Sequence, residues 1–354
     1  MKKCLLFVWF FVTTLVVHAQ SRFGNEWIKP GQNYLKVSVN QPGIYRLGYA
    51  DIKAADASFL LTNPAGWQLF FRGQEVAMRV VGQQDGVFDA QDYVEFYGEG
   101  NDGAQDSLLY RPQRRLHPYQ TLFSDKSAYF LTSSPTLTGK RMPELNLSAQ
   151  GLTPVPFHVE ETVQAFTSEY TFNNLQGLEP LLQQSYFEPG EGWSGRLLTA
   201  DSVGVVQLKL PRRASVNWPI TLQGMVNGRD NSFHQIQIQP DATPTSPITP
   251  LSLLGFASQT FQAVINAASV QNDQLTVRFT SVKNAFTNNF SITYVKVTYP
   301  QLLDMAGQPS QVFHLPSINQ QRTLMVISNV PPSTSAYDIT DYTEPECFTD
   351  ESGS

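Results

Sequence analysis

Leu275-Thr276-Val277-Arg278-Phe279-Thr280 alternates apolar and polar side chains residue by residue. Successive side chains of a β-strand point to opposite faces, so this stretch reads as a strand with one buried and one wet face. The same period recurs at Val206, Leu208 and Leu210 before Pro211, at Ile236 and Ile238 among Gln235, Gln237 and Gln239, and at Leu35, Val37 and Val39. Phe290 to Tyr299 predicts a longer strand, stopped by Pro300. Together these segments predict a mainly β protein. An N-terminal β-rich domain is expected over 20–140 and a proline-bearing linker over 141–157. A β-sandwich of jelly-roll kind is expected over 158–300, with Leu208, Ile236, Val277 and Ile292 inside. A further, incomplete unit is expected over 301–354, with a buried strand at Thr323–Ser328. Helix is expected only at Tyr49–Phe59 and at Phe261–Ala268, and four prolines predict a surface loop over 240–250.

Outward from these strands, the N-terminus has another character. Lys2 and Lys3 precede an apolar run from Leu5 to Val17, and Val17-His18-Ala19 offers a cleavage site before Gln20. Residues 1–19 therefore read as a signal peptide, since the run is shorter than the roughly 20 apolar residues of a membrane-spanning helix. Export to the periplasm, outer membrane or cell surface is expected, with no transmembrane span after cleavage. Cys4 precedes the run rather than following it, which does not fit lipid attachment. With Cys4 removed, Cys347 is the sole cysteine, so an internal disulfide is excluded. A net charge of −6 does not favour nucleic acid, which needs a basic footprint.

Three places hold chemistry in prospect. Asp85, Asp89 and Asp92 surround Gly86 and could collect oxygen ligands around calcium, but without the register of an EF-hand. The blander alternative is a turn whose carboxylates cap backbone amides. Glu188, Glu191 and Trp193 combine paired carboxylates with a ring able to stack on a sugar, or else form a turn beside a buried tryptophan. Cys347 would need a base and oxyanion donors. Acidic Glu346 beside it raises a thiol pKa, and the short polar tail cannot enclose a substrate. No nucleophile elbow, His-Glu-x-x-His or phosphate loop occurs.

Gly43-Ile44-Tyr45-Arg46-Leu47, Leu69-Phe70-Phe71-Arg72-Gly73-Gln74-Glu75-Val76, Asp85-Gly86 through Asp92 and Glu95-Phe96-Tyr97-Gly98 form an ordered set. Asn101-Asp102-Gly103, Asp106 to Tyr110, Tyr129 to Thr132, Gly139-Lys140-Arg141, Phe187-Glu188 and Tyr294 to Pro300 continue it. Over about residues 26–340 the chain resembles the N-terminal, non-catalytic region of PorU-type sortases of the Bacteroidetes type IX secretion system, in the gingipain family of cysteine peptidases. The resemblance implies partners among type IX secretion components or their cargo. Full-length relatives remove secretion signals and attach cargo to lipopolysaccharide at the outer membrane. The sequence is expected to stop short of their peptidase domain, so no catalytic residue carries over.

Three functions stay open at this point. One is an exported non-catalytic module supporting processing or surface attachment of secreted proteins. Another is a gingipain-family peptidase fragment whose catalytic domain is missing. The last is a surface glycan- or protein-binding module using Trp67, Trp193 or Trp218. No cofactor is required, calcium being the only candidate.

Overall fold

The computed structural model describes residues 24–348 except 112–116, 147, 173–186, 188–189, 242–247, 283–287 and 317–321. The expected signal peptide lies outside the described residues, as does Glu188. The chain divides into two compact units. The first comprises the described residues up to Gly100, then Lys126–Asn146, then the described residues from Ala336 on; the second comprises the described residues of 101–125 and of 147–335.

In the first unit, β1 (Tyr34–Val39) and β2 (Gly43–Gly48) lead into helix α1 (Tyr49–Ala55). The Asp51 carboxylate accepts from Gly48 N at 2.9 Å and closes the helix N-terminus. β3 (Trp67–Phe71), β4 (Gln74–Val76), β5 (Arg79–Val81), β6 (Tyr93–Gly98), β7 (Ser127–Ser133) and β8 (Glu144–Leu145) follow. They form a four-stranded sheet, β1-β7-β3-β4, and a three-stranded one, β2-β6-β5. The β3–β4 hairpin turns on Arg72 and Gly73, both at positive φ (49° and 82°), as a two-residue turn matched to strand twist requires. The core is largely aromatic: Trp67, Phe71, Phe88, Phe96 and Tyr129 are buried, and Phe71 stacks on Tyr129 at 4.3 Å. Each such ring removes about 150–250 Å2 from water.

The second unit carries β9 (His158–Ala165), β10 (Glu169–Thr171), β11 (Gly192–Ser194), β12 (Val203–Lys209), β13 (Ile220–Gly228), β14 (Phe233–Pro240) and β15 (Ile248–Leu254). β16 (Ser258–Ile265), β17 (Val270–Gln271), β18 (Gln274–Ser281) and β19 (Phe290–Gln301) complete it. One antiparallel sheet runs β12-β18-β14-β15, with β17 on β18; the other runs β16-β13-β19-β9. Val206, Leu208, Ile236, Ile238, Leu275, Val277 and Phe279 from the first sheet share a core with Leu222, Ile292, Val295 and Val297 from the second. This is the expected sandwich, with all four residues assigned to its interior buried. Each large aliphatic side chain buried here contributes about 1.5–3 kcal/mol.

Several expectations need correction. Phe261–Ala268 is not a helix: Phe261 and Ile265 face inward four residues apart, which suits a helix, but Ala263 lies between them on the same face of edge strand β16. Pro300 does not stop β19, because its missing N–H falls beyond the last β13 pair, Thr221 with Thr298. Pro250 lies in β15, a sheet edge that tolerates it. Thr323–Ser328 makes only isolated bridges, and Val326 is exposed, since no neighbouring strand pairs along it.

The domain bounds also differ. Residues 101–125 join the second unit, where the Tyr110 hydroxyl donates to Glu191 O at 2.8 Å. The stretch 141–157 contains the crossing from the first unit to the second, after Asn146, but its two ends are held within those units. Arg141 donates to the backbone oxygens of Pro64, Ala65 and Trp67, and Val155 N donates to Leu324 O. Residues 301–335 stay with the second unit, burying Leu303 and Met305. The chain then returns to the first unit as β20 (Ala336–Asp338) and β21 (Glu346–Phe348), giving the sheet β20-β21-β8.

Candidate functional site

On β19, Val295, Val297, Tyr299 and Gln301 alternate on the buried face. The alternation carries a polar amide into an apolar position, and a polar site has been built around it. Gln301 Oε1 accepts from Arg212 Nη2 at 3.2 Å, Gln311 Nε2 at 2.9 Å and His158 Nε2 at 3.1 Å. Its Nε2 donates to Pro211 O at 2.9 Å and to the Tyr299 hydroxyl at 2.8 Å. The amide is thus fully satisfied although buried, which removes the cost of placing it there.

With Gln301 Oε1 as acceptor, His158 carries its proton on Nε2. Burial pushes the His158 pKa down to about 4, so the ring is neutral at physiological pH.

Above this amide lies a cavity of about 330 Å3, lined by Glu160, Arg212, Gln311 and His314 among others. Glu160 and Thr162 come from β9. Arg212 sits in the turn after β12 at φ 52°, and Arg212 Nη2 also donates to Gln311 Oε1 at 3.2 Å. The 311–314 segment is pinned by Val159 N donating to His314 O at 2.7 Å. Burial raises the Glu160 pKa above the usual range, against weaker opposing effects of the Glu161 amide, His314, Gln311 and Arg212. Arg212 Nε is buried without an acceptor among the described residues.

The residues singled out from sequence lie elsewhere. Asp85 Oδ1 accepts from Val87 N, Asp89 Oδ1 from Gln91 N and Asp92 Oδ2 from Asp89 N, at 2.8–3.1 Å. Their carboxylates cap the turn, and among the described residues no group of three or more acids, histidines or cysteines is arranged to hold a metal. Trp67 is wholly buried between Phe59 and Phe88, its indole N–H donating to Thr62 Oγ1, so it has no face for a ligand. Trp193 packs edge-on against Tyr170 at 5.5 Å, and the Tyr170 hydroxyl reaches Glu191 Oε1 at 3.3 Å. Trp218 is partly exposed beside Phe157. Trp67 belongs to the first unit, Trp193 and Trp218 to the second.

Cys347 lies in β21, the middle strand of its sheet, and its amide donates to Pro143 O at 2.9 Å. Burial raises its pKa despite nearby Arg79. The described histidines, His117, His158, His234 and His314, all belong to the other unit.

A second polar cluster also escaped sequence reasoning. Glu95 on β6, almost fully buried, accepts at Oε1 from Arg46 Nη2 at 2.6 Å. Its Oε2 accepts from Arg79 Nη1 at 3.4 Å and from the Tyr337 hydroxyl at 3.1 Å. This cluster ties β20 to β6 within the first unit. No helix among the described residues is long and apolar enough to cross a membrane.

No known family pattern matches the chain, and no curated protein matches it in sequence. Among solved structures, the crystal structure of dimeric latent PorU from Porphyromonas gingivalis is similar over 90% of this chain, with a TM-score of 0.59 at 13% identity. The chain spans 29% of the length of that structure's chain. A carbohydrate-binding module of a xylanase from the Trinervitermes trinervoides hindgut metagenome aligns over 39% of this chain and 96% of its own, at TM-score 0.24 and 9% identity. A module of a Ruminococcus flavefaciens FD-1 glycoside hydrolase aligns over 29% and 92%, at TM-score 0.21 and 10% identity. What the chain shares with the PorU structure is therefore a fold, one that runs through nearly all of its length.

Proposed function

We propose that this chain is an exported, non-catalytic β-module that supports the processing or surface attachment of secreted proteins, as the N-terminal part of a type IX sortase would. The observation that carries this reading is the similarity to the PorU structure along 90% of the chain. Cys347 supports the non-catalytic half: a nucleophilic thiol needs a lowered pKa and a neighbouring base, and this one is buried, raised and held in a central strand. The module binds a peptidase or its cargo and needs neither a metal nor a cofactor.

The test is to incubate the purified chain with a substrate bearing a type IX secretion signal, with and without a full-length sortase. The expected outcome is no cleavage by the chain alone and an altered rate when both proteins are present. Cleavage by the chain alone, abolished in Cys347→Ala, overturns the proposal; so does a sortase rate that the chain leaves unchanged.

A further inference from the structure

A buried polar row crosses the β16-β13-β19 part of the second sandwich sheet. Asn227 on β13 lies opposite Ser258 on β16 and Ser291 on β19. Residues directly opposite in antiparallel strands share a face, so the three form one line. Val226, the neighbour of Asn227, packs in the aliphatic core, which puts the line on the other face of the sheet. That face is sealed all the same: Asn227 and Ser291 are 0% exposed and Ser258 is 6% exposed. β11 closes over it, Ser194 Oγ donating to Ser291 Oγ at 2.7 Å and Gly195 N to Ile292 O at 2.9 Å.

Within this row the Asn227 amide is unsatisfied. Neither its Nδ2 nor its Oδ1 has a hydrogen-bond partner among the described residues. An amide brings two N–H donors and two acceptor lone pairs, and burying them unpaired is unfavourable. Thr293 Oγ1 is in the same state, 0% exposed and without a partner among the described residues. Thr293 is the extra residue of a β-bulge, since Met225 pairs with Tyr294 and Val226 with Ile292. It follows Ser291 by two positions, which returns it to the face of Asn227.

Whatever satisfies these atoms must donate and accept at once. It must also be small, because no part of Asn227 reaches the surface. The row is uncharged, so it offers nothing to select an ion. Its other members are serines, whose short side chains leave room beside the amide. Water meets each of these conditions, and a polar, closed site with at least two partners is where internal water is held.

We propose that the second unit contains an internal water site, in which at least one ordered water bridges the Asn227 amide to Thr293 Oγ1 beneath β11. The site needs neither peptidase nor cargo, so its failure leaves the sortase-like reading as it stands.

The experiment is a crystal structure of the full chain, at a resolution that shows ordered water, together with Thr293→Val and Asn227→Leu. Water density is expected within hydrogen-bond distance, about 2.7–3.2 Å, of both the Asn227 amide and Thr293 Oγ1. Thr293→Val keeps the shape and removes the hydroxyl, and is expected to weaken or remove that density; Asn227→Leu is expected to abolish it. In solution, magnetic relaxation dispersion of water should report fewer long-lived internal waters in Thr293→Val than in the parent chain. If Asn227→Leu fails to fold, the parent and Thr293→Val decide the matter. An Asn227 amide bonded directly to protein groups, or empty density beside it, overturns the proposal. So does a water whose density and dispersion are unchanged in Thr293→Val.

Discussion

The two units solve the same problem with different materials. The second buries a largely aliphatic core between two sheets, and strands such as β12 and β18 keep one wet face, so their sequence alternates. The first packs aromatic rings around short strands; β3, Trp67 to Phe71, is buried on nearly every residue and β6 on all but its first. It also seals a carboxylate, Glu95, between two arginines and a tyrosine. A core of repeated aliphatic layers declares itself in the chain's period. A core of rings and a buried ion pair does not, because both faces of its strands are occupied.

The largest expected effect probes the aliphatic core. Val277→Asp places a charge with no partner among Leu208, Ile236 and Phe279, and should destabilise the second unit by about 4 kcal/mol, read by urea denaturation. An unchanged midpoint would break the assignment of that face.

The next effect depends on pH and belongs to the polar end of the same unit. His158 titrates at about 4 in the fold, against roughly 6.5 in the unfolded chain. The unfolded state binds the proton more tightly, so stability is fully present above pH 6.5 and is lost as pH falls towards 4. The loss should reach about 3 kcal/mol over that window. His158→Gln should flatten this pH dependence, and a variant that retains the full slope would remove His158 as its source.

The smallest effect sharpens the contrast from the aromatic side. Glu95→Gln leaves Arg46 without its anionic partner and Arg79 with Glu144 alone, 3.1 Å from its Nε. Arg46 is largely solvent-exposed, so the cost should be about 2 kcal/mol rather than that of a fully buried pair. A melting temperature equal to that of the parent would show the network to be incidental.

Much of the second unit was legible in the sequence. Leu208, Ile236, Val277 and Ile292 lie inside because their strands alternate; in the first unit, the Asp85–Asp92 segment forms the kind of capped turn that short acids favour. Phe261–Ala268 was misread because Phe261 and Ile265 satisfy both a helical and a strand spacing, and only pairing with β13 decides between them. The candidate site left one trace, Gln301 continuing the buried row of Val295, Val297 and Tyr299. Arg212 and Gln311, separated from it by 89 and 10 positions, left none, because local periodicity carries no signal across turns. The return of residues 336–348 to the first unit was equally silent, since β20 and β21 are three residues each and too short to show a period.

That return has a consequence for how the molecule comes together in time. β8 pairs in parallel with β21, Glu144 opposite Cys347, and Lys140 reaches Glu344 across 204 positions. A chain that emerges N-terminus first therefore exposes β8 without its neighbour until everything between has been made. The entropy of closing so long a loop is reduced if the intervening 147–335 has already condensed into its sandwich. The later unit in the sequence is then the first to finish, and the opening unit the last, held incomplete until its final strand arrives.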